Sequence, residues 1–80
     1  MVKEKVQEIF REVFEDDELI IREDMTAEDI EDWDSLTHIQ LIETIEKVFG
    51  ITFTLQEITD LDTVGEFIEL TEKKLVKNNE

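Results

Sequence analysis

The sequence contains no cysteine, no proline, two glycines and a single histidine, His38. The missing cysteines exclude disulfides, a catalytic thiol, and zinc or iron–sulfur sites ligated by cysteine. One histidine cannot build a multi-histidine metal centre. No apolar run approaches the roughly 18 residues that cross a membrane, and the charged residues mixed into positions 2–14 do not suit a signal peptide. These absences predict a cytoplasmic protein.

Positive charge is also scarce, with eight Lys and Arg against 23 Asp and Glu, for a formal net charge of −15. We expect no nucleic-acid binding, because that affinity depends on Lys and Arg, and no membrane binding, because anionic lipid surfaces repel such a chain. The charge favours a soluble monomer that is steered toward basic patches on protein partners. Hydrophobic residues make up 40% of the chain, and their periodic placement argues against an acidic disordered chain.

The acidic stretches do not match the EF-hand pattern of a calcium site. An EF-hand loop needs oxygen ligands at positions 1, 3, 5 and 12 and glycine at position 6. A loop starting at Asp60 places Val64 and Thr71 at positions 5 and 12. A loop starting at Asp29 places Trp33 at position 5. We therefore predict no metal ligands in this sequence.

The 80 residues predict one all-α domain over residues 1–80, a small four-helix bundle of three longer helices and one short helix. The first helix is predicted over residues 2–15, where apolar residues recur with helical spacing. Residues 16–34 lack this spacing and predict a long loop between the first two helices. We expect Leu19-Ile20-Ile21 to fold back onto the core and a helical turn to form near 26–31.

Capping residues mark the other three helices. The second begins at Asp34-Ser35, either of which suits the N-cap, and runs to Phe49, with Gly50 at the C-terminal end. Residues 51–53 are predicted to be an extended connector. Thr54-Leu-Gln-Glu57 is a capping box that opens a short third helix to about residue 60. Asp62-Thr63 caps the fourth helix, predicted over about 63–77.

The second helix presents two apolar faces at about 100° per residue. The core arc contains Leu41, Ile42, Ile45, Val48 and Phe49, with His38 inside it. Leu36 and Ile39 lie outside this arc, near Glu43 and Glu46. Two explanations remain open for the pair: the 16–34 loop covers it, or it is a docking surface in which apolar anchors are bordered by charges.

The motif Asp34-Ser35-Leu36 at the head of this helix resembles the acyl carrier proteins. It lies in the wider run EDWDSLTHIQLIE at 31–43, followed by IEKVFGI at 45–51 and DTVGEF at 62–67. The length, helix order and acidity of the family are also similar. The resemblance therefore covers essentially the whole chain.

The resemblance implies that Ser35 carries a 4′-phosphopantetheine arm, added from coenzyme A by a phosphopantetheinyl transferase, with Asp34 and Leu36 beside it. The thiol of the arm would bear acyl or aminoacyl groups as thioesters, and the carrier itself would catalyse nothing. Leu36, Ile39, Glu43 and Glu46 would meet basic docking patches on the enzymes that load and transfer the cargo.

The position two residues before the motif aspartate differs from that of many fatty-acid carriers. Asp32 stands where those have glycine, and Trp33 follows it. This is more similar to discrete carriers of polyketide, nonribosomal-peptide, polysaccharide-modifying or aminoacyl-transfer systems. The alternative function is a small acidic helical adaptor that binds a basic partner without covalent modification.

The single histidine and the single tryptophan are predicted to be structural. His38 lies about 60° round the helix from Ser35 at an inward-pointing position, which argues against a Ser–His hydrolase pair and for a histidine at the core edge. Trp33 is predicted to close the loop against the bundle, with contact to the arm or a partner as the functional alternative.

Overall fold

The structure is a computed structural model that describes residues 2–78, with side chains to Val76. Within that range the chain forms four helices and no strand: α1 Val2–Val13, α2 Ser35–Phe49, α3 Leu55–Asp60 and α4 Val64–Asn78. The three longer helices pack against one another in a body of 37 × 25 × 21 Å. The predicted all-α four-helix fold is confirmed; the terminal positions 1, 79 and 80 of the predicted domain lie outside the described residues.

The first helix ends two residues earlier than predicted. Val13 is its last residue, and Glu15 adopts a left-handed backbone with φ of 52°. The Asp16 N–H then reaches back to the Arg11 carbonyl at 3.0 Å. A left-handed residue after the last turn is a common helix end, normally formed by glycine. The amphipathic spacing did not reveal this ending because it falls on a glutamate.

The core of α2 follows the predicted arc except at its edge. Leu41, Ile42 and Ile45 are buried, and Phe49 is half-buried. Val48 was predicted to be in the core but is 46% exposed. Its angle of about 120° places it at the boundary of the arc, and it lies in the last turn of the helix.

The loop between α1 and α2 is held by side chains of α1. The Arg11 Nε donates to the Leu19 carbonyl at 2.7 Å, and the Gln7 Oε1 accepts the Ile21 N–H at 3.1 Å. Ile21 is buried, whereas the neighbouring Ile20 is exposed. The loop does fold back onto the core as predicted, through Ile21 and the half-buried Leu19.

A turn at Thr26–Asp29 matches the predicted one. The Asp29 carboxylate accepts the Thr26 N–H at 3.0 Å, and the Thr26 hydroxyl accepts the Glu28 N–H at 3.2 Å. These bonds stabilise a single turn and do not extend into a helix.

The loop also supports the start of α4. The N–H groups of Val64 and Gly65 donate to the carbonyls of Met25 and Glu23 at 3.0 and 2.9 Å. A Cβ on Gly65 would lie 2.9 Å from the Glu23 carbonyl oxygen, so glycine permits this approach. Thr63 accepts the Glu66 N–H at 3.2 Å. The predicted capping by Thr63 is therefore present, and the loop satisfies two further orphan N–H groups.

The connector and α3 form as predicted. Residues 51–53 have no regular structure, and Ile51 and Phe53 are buried. In the capping box of α3, Thr54 accepts the Glu57 N–H at 3.1 Å and Glu57 accepts the Thr54 N–H at 2.8 Å. This box sets the start of α3, which forms one wall of the site described next.

Candidate functional site

Asp34 is the N-cap of α2, and Ser35 is the first helical residue. The Asp34 carboxylate accepts the N–H groups of Leu36 and Thr37, each at 3.0 Å. The Thr37 hydroxyl in turn accepts the Asp34 N–H at 2.8 Å, which completes a capping box. The choice between Asp34 and Ser35 that the sequence left open is resolved by this geometry.

The capping bonds also fix the charge at this helix end. The backbone N–H of Thr37 is the main cause that lowers the pKa of the Asp34 carboxyl; desolvation opposes it, and the Thr37 hydroxyl and the Leu36 N–H add to the lowering. A carboxylate that accepts such bonds favours its ionised form. Asp34 is therefore a permanent negative charge beside Ser35 at neutral pH.

Ser35 presents its hydroxyl to solvent. The residue is exposed, and within the described part of the chain its hydroxyl makes no hydrogen bond. The Asp34 carboxylate has taken over the capping task, so the hydroxyl is available for chemistry. The N-terminus of the helix favours added negative charge such as a phosphate group.

An open groove of about 510 Å³ lies beside Ser35, between the start of α2 and the α3 segment. Its lining residues are Ala27, Trp33, Asp34, Ser35, His38, Ile39, Ile58, Thr59, Leu61 and Asp62. Asp34, Thr59 and Asp62 are exposed and polar, whereas Trp33 and Leu61 are buried. The groove thus has a polar rim and a largely apolar interior.

His38 uses both of its ring nitrogens for structure. Its Nε2 lies 3.1 Å from the Ile58 carbonyl, and the Trp33 indole Nε1 donates to its Nδ1 at 3.2 Å. Because a carbonyl oxygen only accepts, the proton resides on Nε2 and Nδ1 is the acceptor. Neither nitrogen is left to activate the Ser35 hydroxyl. The predicted core-edge histidine is thus held by two hydrogen bonds.

Trp33 packs the end of the loop against the bundle, as predicted. Its side chain is 6% exposed. Ring centroids lie 5.5 Å away at Phe10, 5.9 Å at Phe67 and 6.2 Å at both Phe14 and His38. These contacts place Trp33 at the boundary between the aromatic core and the groove.

The predicted docking residues fall into two groups. Leu36 and Ile39 are 68% and 42% exposed, so the loop does not cover them. Glu43 is also exposed. Glu46 is half-buried, and its carboxylate accepts the Phe53 N–H at 2.8 Å. Leu36, Ile39 and Glu43 therefore remain free to meet a partner, while Glu46 holds the connector against α2.

Several groove residues escaped the sequence analysis. Ala27, Ile58, Thr59 and Asp62 line the groove, but no local pattern in the sequence placed them beside Ser35, although Asp62 begins the run DTVGEF. Leu55, at the start of α3, is 80% exposed. The capping box predicted the start of this helix but not the exposure of Leu55. Tertiary packing alone brings this set together.

No helix within residues 2–78 is long and apolar enough to cross a membrane. Over the same range, no cluster of three or more His, Cys, Asp or Glu side chains could hold a metal ion.

An exposed serine at the head of the second helix, beside a groove and inside a four-helix fold, defines the class of small helical carrier domains. The family described as "Phosphopantetheine attachment site" matches residues 4–71. This chain belongs to that family, the acyl carrier proteins. No curated protein matches it in sequence.

Solved acyl carrier proteins share the whole fold. The holo acyl carrier protein of Geobacter metallireducens superposes with a TM-score of 0.90 at 38% identity, covering 96% of this chain and 88% of that one. The acyl carrier protein of Thermotoga maritima superposes with a TM-score of 0.83 at 26% identity, covering 98% of this chain and 95% of that one.

Family membership assigns covalent 4′-phosphopantetheine as the cofactor and a carrier role. The residues present fit this group. They offer an accessible hydroxyl on the first turn of a helix and an adjoining groove. The bound arm would supply the thiol that the cysteine-free chain lacks.

Proposed function

We propose that Ser35 is the phosphopantetheine attachment residue and that this chain carries acyl or aminoacyl groups between biosynthetic enzymes. The observation that carries the proposal is the exposed Ser35 hydroxyl on the first turn of α2, at the edge of the groove. Asp34 holds the helix end that presents it, and Leu36 follows it on the surface.

The chain positions this hydroxyl and does not activate it. The helix dipole favours a phosphodiester on Ser35 by about 0.3–1 kcal/mol at an exposed site. The proton must leave to a base on the transferase, because both nitrogens of His38 are engaged. This division of labour supports a substrate and carrier of other enzymes.

The surface next to Ser35 supports docking of such enzymes. Leu36 and Ile39 are exposed apolar anchors on α2, and Glu43 lies exposed on the same helix. A basic patch on a partner would be steered by the acidic surface and seated by these anchors. We propose that Glu46 contributes through its charge while it holds the connector. The self-repelling net charge supports a monomeric carrier.

The cargo is proposed to belong to a specialised pathway. The Asp32-Trp33 pair resembles discrete polyketide, nonribosomal-peptide, polysaccharide-modifying or aminoacyl-transfer carriers. In the structure Trp33 lines the groove beside Ser35, so one member of this pair lies where it would touch the arm.

Mass spectrometry tests the attachment. Incubation with coenzyme A and a broad-specificity phosphopantetheinyl transferase should add one arm to the protein, and peptide mapping should locate it on Ser35. Ser35→Ala should gain no mass while keeping its helical circular dichroism. Thr59→Ala, which removes another hydroxyl of the groove, should be modified like the wild type. An unmodified wild type would favour the non-covalent adaptor.

A further inference from the structure

The geometry points to a closed floor in the groove beside Ser35, formed by Trp33 and His38, which keeps cargo out of the helical core. We infer that the carrier suits a short or polar acyl or aminoacyl group, held in the open groove, and not a long alkyl chain. This inference rests on the proposed attachment at Ser35 and adds the class of cargo to it.

The floor is fastened on two sides. The Trp33 indole donates to His38 Nδ1 at 3.2 Å, and His38 Nε2 donates to the Ile58 carbonyl at 3.1 Å. The loop, α2 and α3 are thus joined across the bottom of the groove. Parting them would break two partly buried hydrogen bonds, which is unfavourable.

Behind the floor the interior is filled by aromatic rings. The Phe67 centroid lies 5.5 Å from His38 and 5.9 Å from Trp33, and that of Phe10 lies 5.9 Å from Phe67. Phe10 and Phe67 are fully buried. An alkyl chain that entered from Ser35 would have to separate these rings, and close-packed interiors resist such insertion.

The groove itself suits a small cargo. Its rim carries the exposed polar residues Asp34, Thr59 and Asp62. An alkyl chain that is excluded from the core and too long for the groove would have to extend past this rim into water, which is unfavourable in proportion to its apolar area. A short or polar group avoids that cost.

The absence of cysteine allows a test that needs no transferase. Ser35→Cys provides a single thiol, which can be alkylated with N-ethylmaleimide or N-octylmaleimide. We expect both adducts to have the same denaturant midpoint, and the octyl group to leave the amide shifts of Phe10 and Phe67 unchanged. A higher midpoint for the octyl adduct, with shifts at those residues, would overturn the inference.

Removing the floor should reverse the result. In a Ser35→Cys, His38→Ala background, the octyl adduct should have a higher midpoint than the ethyl adduct. In the same Ser35→Cys background, Thr59→Ala, a matched change on the rim, should leave the denaturant midpoints of the two adducts equal. If the two adducts of a folded His38→Ala variant have equal denaturant midpoints, His38 does not close the floor of the groove. If that variant fails to fold, the comparison in the Ser35→Cys protein still decides the question.

The natural arm provides the second readout. Acetyl and octanoyl forms of the wild type should lose their acyl groups to hydroxylamine in the same ratio of rates as the corresponding thioesters of free pantetheine, since both thioesters stay in the open groove. An octanoyl reaction slower than this ratio predicts would show burial and contradict the inference. Failure to load Ser35 would instead contradict the proposed function, while the maleimide adducts would still report on the floor.

Discussion

The Lys74 ammonium lies 2.8 Å from the Glu57 carboxylate and 5.7 Å from the centroid of the Phe53 ring. Glu57 also accepts the Thr54 N–H at 2.8 Å. One cation of α4 therefore holds both the connector and the start of α3. The bond from Lys74, followed by that from the Thr54 backbone, lowers the pKa of the Glu57 carboxyl.

Breaking this contact should loosen α3. Lys74→Met is expected to lower the free energy of unfolding by about 1 kcal/mol near neutral pH, since it removes a partly shielded ion pair and a cation–π contact. Lys73→Met, an exposed neighbour on the same helix, is the matched control and should change little. Urea unfolding followed by circular dichroism measures both.

The same pair predicts a dependence on pH. The folded pKa of Glu57 lies below its ordinary value of 4.5. Its stabilising contribution is therefore complete above that value and is lost as the pH falls through the folded pKa. The stability difference between wild type and Lys74→Met should shrink under acid conditions. A difference that stays constant from neutral pH to below pH 4 would contradict this assignment.

The two faces of α2 should separate stability from docking. Ile45→Ala removes a fully buried side chain and should cost about 2–5 kcal/mol. Leu36→Ala and Ile39→Ala alter exposed side chains and should change stability by only about 0.5 kcal/mol. They should instead slow loading of Ser35 by the transferase. A denaturant midpoint and a loading rate for each variant check this, and large stability losses at Leu36 or Ile39 would refute it.

Glu43 and Glu46 should differ from each other. Glu43→Lys should slow partner association without loss of stability, and the effect should weaken as salt screens the charges. Glu46→Lys should also destabilise the fold, because its carboxylate accepts the Phe53 N–H. Stability and salt-dependent loading rates distinguish the two. Equal stability of both variants would argue against the connector bond.

Replacing Thr71 with valine should make the protein more stable. It is fully buried, and within the described residues its hydroxyl has no hydrogen-bond partner. Thr71→Val keeps the shape and removes the unsatisfied group, so stability should rise by about 1 kcal/mol. Thr71→Ser keeps the hydroxyl, loses a methyl group and should destabilise. Thermal unfolding of the pair tests this, and a less stable valine variant would show that the hydroxyl is satisfied in solution.

Local signals in the sequence were sufficient for the helices. Thr54 and Glu57 form the predicted capping box, and Asp34 was one of two candidate caps for α2. These contacts join residues within three positions of each other, so the chemistry is visible in a short window. Glu15 is the exception, because no side-chain rule selects a glutamate for the left-handed position.

Only part of the candidate site could be predicted from the sequence. The motif predicted Ser35, and the helical angles placed Leu36 and Ile39 outside the core arc but left open whether the loop covers them. The bonds from Trp33 to His38 and from Phe53 to Glu46 join residues five and seven positions apart, and they depend on how the loop and the connector pack against α2. Helical angles place Glu46 on the surface, but they do not show that a neighbouring backbone N–H will bind it.

The bonds from Val64 and Gly65 to the carbonyls of Met25 and Glu23 have a consequence for cooperativity. The start of the last helix cannot fray unless the loop departs, and the loop cannot depart without exposing that helix end. The two segments should open as one unit in hydrogen exchange. Hydrogen-exchange rates at the amides of Val64 and Gly65 therefore report whether the 16–34 loop, which leads to Ser35, is packed against the start of α4.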